Sequence, residues 1–125
     1  MSLSITTSRH VDGALEICPR GEIDLSSAHE LTEAINRALV RSAPRQIRIN
    51  LWLVTFIDSV GIGSLVASYH AAAASGVALT VINPTEQVYR QLWVSGLVGL
   101  FGSPQPITSV SGPAATSQDP FTPVP

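Results

Sequence analysis

Val54-Thr55-Phe56-Ile57-Asp58-Ser59-Val60-Gly61-Ile62-Gly63, residues 54–63, is the stretch at which the chain changes its period. Ahead of it Ile47, Ile49, Leu51 and Leu53 alternate with Arg48, Asn50 and Trp52, which predicts a strand near 46–51 leading into a loop. Behind it Ile62, Leu65, Val66, Tyr69 and Ala73 form an apolar helical stripe, while Gly61, Gly63, Ser64, Ala67 and Ser68 are small enough to let a helix lie close to its neighbours. That helix should end at Gly76, a good left-handed cap. The stretch is therefore read as a strand-to-helix turn carrying Asp58, Ser59, Gly61 and Gly63. A hydroxyl at a helix N-terminus sits among free N–H groups at the positive end of the dipole, so a phosphate added there would be tolerated. The same residues also suit a simple cap followed by glycines that permit a tight turn.

Upstream, residues 3–7 and 14–20 read as strands joined by an Asp12-Gly13 turn, with Pro19 suiting an edge or a strand end. Gly21-Glu22-Ile23-Asp24 then reads as an acidic surface connection, and Ser27-Ala28-His29-Glu30 as a capping box opening a helix over 27–42. Downstream, Val77–Ile82 has the look of a buried strand, and Asn83-Pro84-Thr85-Glu86 offers an N-cap and a first-turn Pro for a third helix that stops near Gly96. The order predicts a single α/β domain over residues 1–102, a mixed β-sheet of four to five strands packed against α-helices. Six of the nine prolines lie after Ser103, with many Ser and Thr and one charged residue, Asp119, so 103–125 is expected to be a disordered tail.

Composition narrows the functional classes. The formal net charge is −2, and all seven basic residues are Arg, spread from Arg9 to Arg90 with no stripe to match a row of phosphates, which argues against nucleic acid. Cys18 is the only cysteine and reads as a small strand filler; His10, His29 and His70 lie far apart with no matching ligands, so no metal is expected. No basic segment followed by an apolar one opens the chain, and the uncharged stretch Ser59–Asn83 is broken by polar residues, so the expected location is the cytoplasm, away from membranes. Enzyme signatures are weak. Gly61-Ile62-Gly63-Ser64-Leu65-Val66 lacks the third glycine of a dinucleotide loop, Ser59 and Ser95 lack the glycines of a nucleophile elbow, and a chain without Lys has no phosphate-loop lysine. Trp52 and Trp93 read as half-buried aromatics or partner contacts.

Taken together, Gly21-Glu22-Ile23-Asp24 with Ser27-Ala28, the 54–63 stretch, and Val88-Tyr89-Arg90 with Ser95-Gly96-Leu97 resemble the STAS domain of bacterial anti-sigma factor antagonists over residues 1 to about 102. The resemblance implies a non-enzymatic switch protein without a cofactor, which binds an anti-sigma factor that is also a serine kinase and so releases a sigma factor. By the same resemblance Ser59 matches the phosphorylated serine, a serine phosphatase reverses the modification, and Asp24, Asp58, Ser59, Val60 and Gly61 contribute to partner binding. A monomer or weak dimer is implied; the alternative is a STAS scaffold or sensor subunit of a larger assembly. Three departures stand out: Val60 replaces a second hydroxyl residue, Asn50 stands where an aspartate is common, and Trp52 is unusual in its place.

Overall fold

The computed structural model describes residues 3–107. In chain order they form β1 (Ser4–Arg9), β2 (Ala14–Ile23), α1 (Ala28–Ser42), β3 (Gln46–Asn50), β4 (Val54–Ile57), α2 (Ser59–Ala74), β5 (Ala78–Ile82) and α3 (Glu86–Val94). The sheet runs β1-β2-β3-β5, with β1 antiparallel to β2 and the other pairs parallel, while β4 pairs with the far end of β2. This is the mixed five-stranded sheet with helices that the sequence predicts.

The strand periodicity explains why the helices cover one face. Leu15, Ile47 and Leu79 lie side by side across three strands, as do Ile17, Ile49 and Val81, and all six are buried. The adjoining positions, Glu16, Arg48 and Thr80, point the other way and are polar. Parallel strands usually carry helices on both faces. Here the open face closes on itself with polar contacts instead: Arg48 donates to Asp12 at 2.8 Å, His10 meets Glu16 at 3.0 Å, and Asn50 donates to Glu16 at 3.1 Å. β5 follows the same alternation, so it is covered on one side only, unlike the fully buried strand expected from Val77–Ile82.

Asn50 also accepts from the Trp52 backbone N–H, which leaves the indole exposed at the turn after β3. An aspartate here would face the Glu16 carboxylate with no proton to offer, so the amide fits this neighbour better.

β2 is the strand on which everything converges. Its first part pairs with β1 and β3, and its ladder with β3 ends at Ile17↔Ile49, so Pro19 removes no donor from that pairing. At Gly21, with φ +120, the strand bends and turns its last residues onto β4, pairing Gly21 with Val54, Glu22 with Phe56 and Ile23 with Ile57. Two expectations are corrected by this. Residues 54–57 are a strand and not a loop, and Gly21–Ile23 are its partner and not a surface connection.

Helix boundaries follow the local chemistry with two further corrections. The capping box at Ser27 does not form: the Ser27 hydroxyl donates back to the Glu22 carbonyl, and the Glu30 carboxylate accepts from the Leu3 N–H at 3.1 Å. α3 is capped by Thr85, whose hydroxyl accepts from Val88 N–H, because Asn83 takes a left-handed conformation at φ 55 and cannot open a helix there. α2 ends as read, with Gly76 at φ +74 and the N–H groups of Gly76 and Val77 bonded to Ala73 and Ala72 carbonyls.

Past Gly102, Ser103 N–H donates to Val98 O, Ile107 N–H donates to Pro84 O and Pro104 is buried, so the chain stays docked as far as 107. The expected disorder of the rest of the tail concerns residues 108–125, which lie outside the described residues.

α2 sits close to the bend in β2. A Cβ on Gly61 would stand 2.1 Å from the Ile23 carbonyl oxygen and 2.6 Å from an Ile57 side-chain carbon, whereas one on Gly63 would meet nothing within 4 Å. Gly61→Ala should therefore destabilise the domain by about 3 kcal/mol or more. Gly63→Ala, in the same helix, should stabilise it by about 0.4–1 kcal/mol. Urea unfolding of the pair checks both; equal midpoints would mean that α2 does not approach β2 this closely.

Candidate functional site

The close approach at Gly61 brings two loops together. Asp58 stands at the N-cap of α2 in extended conformation, and one of its carboxylate oxygens accepts from Gly61 N–H at 2.8 Å. The other oxygen reaches across to the Leu25 backbone N–H at 3.2 Å, in the loop between β2 and α1. Asp58 N–H in turn donates to Ile23 O at 3.3 Å. Asp58 is thus the cap and also the bridge between loops that local sequence rules could not place together.

Ser59, the first residue of α2, is exposed. Its N–H and that of Val60 have no partner among the described residues, as expected of the first turn once Asp58 has satisfied Gly61. The other serine hydroxyls of the helix are turned inward: Ser64 donates to Gly61 O at 2.6 Å and Ser68 to Ser64 O at 2.8 Å, and both residues are buried. Ser59 is the exposed serine of this helix.

Asp24 folds its carboxylate over its own loop. One oxygen accepts from the Ser26 hydroxyl at 2.8 Å, the Ser26 N–H at 3.0 Å and the Ser27 hydroxyl at 3.1 Å. These donors, the Ser26 hydroxyl first, hold its pKa below the ordinary aspartate value despite some desolvation. The loop therefore carries a charge that persists well into acid.

Of the residues expected to meet a partner, Asp24, Asp58, Ser59 and Val60 share this end of the molecule, and Val60 is 43% exposed. Gly61, also expected to meet a partner, is buried against β2, where it sets the height of the turn. Two apolar residues missed by sequence reasoning join the surface. Leu25 is 77% exposed on the loop that Asp58 holds, and Phe56 is 41% exposed two residues before Asp58. A signal for Leu25 was present, an aliphatic residue alone in the polar run Asp24-Leu25-Ser26-Ser27.

A further missed residue is Gln87. Its amide accepts from Ile57 N–H at 3.1 Å and donates to Ile57 O at 3.3 Å, while Thr85 donates to Val54 O at 3.1 Å. The side chains at the start of α3 thereby stand in for a neighbouring strand along the free edge of β4. Among the described residues no group of His, Cys, Asp and Glu could hold a metal, and no helix is long and apolar enough to cross a membrane.

Comparison with known proteins agrees with this architecture. Anti-sigma-B factor antagonists of Staphylococcus epidermidis and Staphylococcus aureus are 28% identical over 100 residues, covering 80% of this chain and 91% of theirs. The crystal structure of an anti-sigma factor antagonist from Mycobacterium paratuberculosis superposes with a TM-score of 0.70 at 28% identity, over 80% of this chain and 83% of that one. SpoIIAA, an anti-sigma factor antagonist, shares the fold in its unphosphorylated form (TM-score 0.68, 22% identity, 85% and 90% covered). Bacillus SpoIIAA in its phosphorylated form shares it too (TM-score 0.63, 21% identity, 85% and 93% covered). The family model described as STAS domain matches residues 6–111, so the chain belongs to the STAS domain family.

Proposed function

We propose that this protein is an anti-sigma factor antagonist that captures an anti-sigma factor through the surface around Ser59 and is switched off when Ser59 is phosphorylated. The observation that carries this reading is the turn itself: one exposed hydroxyl, at the N-terminus of a rigidly docked helix, between two loops tied by Asp58. The names of the similar staphylococcal and mycobacterial proteins support the role, and a phosphorylated form of SpoIIAA supports the type of modification. The partner is an anti-sigma factor with serine kinase activity. It supplies the nucleotide, the Mg²⁺ and the base, so Ser59 is a substrate and the chain itself catalyses nothing. A serine phosphatase restores the binding form.

The physics of such a switch follows from the charges already present. A phosphoserine adds about −1.5 to −2 charge and three acceptor oxygens. The free N–H groups of Ser59 and Val60 can receive it, so the fold survives. A partner surface fitted to a neutral hydroxyl among Leu25, Phe56 and Val60, beside Asp24 and Asp58, meets a larger group with more charge to desolvate. To turn a mostly bound population into a mostly free one the affinity must fall by roughly 100-fold, about 3 kcal/mol.

Capture from the native cytoplasm with wild type and Ser59→Ala should retain the same kinase. With Mg²⁺-ATP that kinase should add one phosphate to the wild type and none to Ser59→Ala, by mass spectrometry. Ser59→Asp should remain folded and bind at least about 100-fold more weakly by calorimetry. A phosphate on Thr55, Ser64 or Ser68, or equal affinity of both forms, would sink the mechanism.

The Asp24 carboxylate gives a separate test. A depressed folded-state pKa contributes stability that is present above the unfolded value and lost as pH falls through the folded one. NMR titration of Asp24 should show it ionising below the ordinary aspartate value, and Ser26→Ala should raise it toward that value. Partner affinity should then be flat with respect to Asp24 near neutral pH.

A further inference from the structure

A groove of about 400 Å³ runs between the outer strand β1 and helix α1, and none of its lining residues belongs to the Ser59 turn. We infer that this groove is the contact face of a two-fold homodimer in which α1 lies antiparallel against α1 of a second copy. Its floor is apolar and small, formed by Ile5 of β1 with Ala34 and Ala38 of α1. The same face of α1 carries four charges: Glu30 and Glu33 in its first half, Arg37 and Arg41 in its second.

These charges are arranged poorly for an isolated helix and well for a pair. Glu30 and Glu33 are neighbours three residues apart, and Arg37 and Arg41 four apart, so each sign is grouped with its own, which disfavours the isolated helix. Glu33 and Arg37 have the spacing of an intrahelical ion pair, yet Glu33, Arg37 and Arg41 make no ion pair among the described residues. The helix dipole favours acids in the first turn and bases in the last, which accounts for Glu30 and Arg41 but leaves Glu33 and Arg37 unexplained.

A two-fold axis accounts for all four. In an antiparallel pair Glu33 faces Arg37 of the other copy when the axis passes Ile35, and Glu30 faces Arg41 when it passes between Ile35 and Asn36. Both registers agree to within half a residue, and Ile35 is the middle residue of α1. Such an interface is isologous: each contact occurs twice, once from each copy. Ala34 and Ala38 let the two helices approach closely, and Val40, 84% exposed one turn beyond Asn36, gains a cover. Glu30 keeps one oxygen on Leu3 N–H, so its second oxygen is the one offered across the axis.

Sedimentation of the full chain up to about 1 mM protein tests the pairing, since small interfaces of this kind give weak complexes. A dimer that loosens as salt rises is expected. Glu33→Arg alone and Arg37→Glu alone should each weaken self-association at least about tenfold, because each places like charges at both symmetric contacts. An equimolar mixture of the two variants should regain the dimer as a heterodimer, since every contact then again joins opposite signs. Circular dichroism shows whether each variant is folded; should one fail, Arg41→Glu with Glu30→Arg makes the same comparison. A monomer throughout the range, a dimer that no variant disturbs, or a mixture no tighter than its components would overturn the assignment.

Discussion

The structure depends on one close contact, the backbone of α2 at Gly61 lying on the carbonyl of Ile23 at the bent end of β2. No side chain larger than hydrogen fits between them. With the helix at that height, Asp58 can cap Gly61 and still reach Leu25, and the Ile23 carbonyl can accept from Asp58 N–H. Three chain segments are thereby fixed by a single carboxylate and a single missing methyl group. Lifting α2 would strain these hydrogen bonds together, because all three run through Asp58. Ser59 inherits its position from this arrangement without contributing a bond to it.

The rest of the fold manages what that contact leaves exposed. β4 is drawn away from the main sheet to follow the end of β2, which leaves its outer edge without a strand. Gln87 and Thr85 close that edge with side-chain amide and hydroxyl groups, neutral partners whose bonds do not titrate. On the main sheet the uncovered face is satisfied by Glu16, Arg48, Asn50 and Asp12, so three parallel strands persist with helices on one side only. Around the Ser59 turn the apolar residues that remain in view are Leu25, Phe56 and Val60.

Much of this was legible from local pattern. The alternation over residues 47–53, the stripe behind Ser59 and the glycine at 76 report their own surroundings, and the helices and four of the strands follow from them. β4 was hidden because its four residues carry no alternation of their own, and the bonds that close its outer edge at Ile57 come from a side chain 30 residues away. The capping box at Ser27 failed for the same kind of reason: the bend in β2 brings the Glu22 carbonyl within reach of the hydroxyl, and Leu3 claims the glutamate. Asp58 was legible as a cap and Gly61 as a tight position, but the second arm of Asp58, to Leu25, is tertiary. Spacing in the chain cannot reveal a bond whose geometry is set by the packing of two other elements.

The split loyalty of β2 also orders assembly in time. Its ladder with β1 closes across a short turn, whereas its ladders with β3 and β4 must wait until α1 has carried the chain back to the sheet. The turn around Ser59 is seated on the last of these, the Gly21–Ile23 pairing with Val54–Ile57. On a ribosome it could not form before the residues of α2 had emerged, and a damaged or half-made chain would present Ser59 on a loose peptide instead of a capped helix. An enzyme or a partner that recognises the shape of the turn therefore inspects the finished domain, and so ignores the unfinished one.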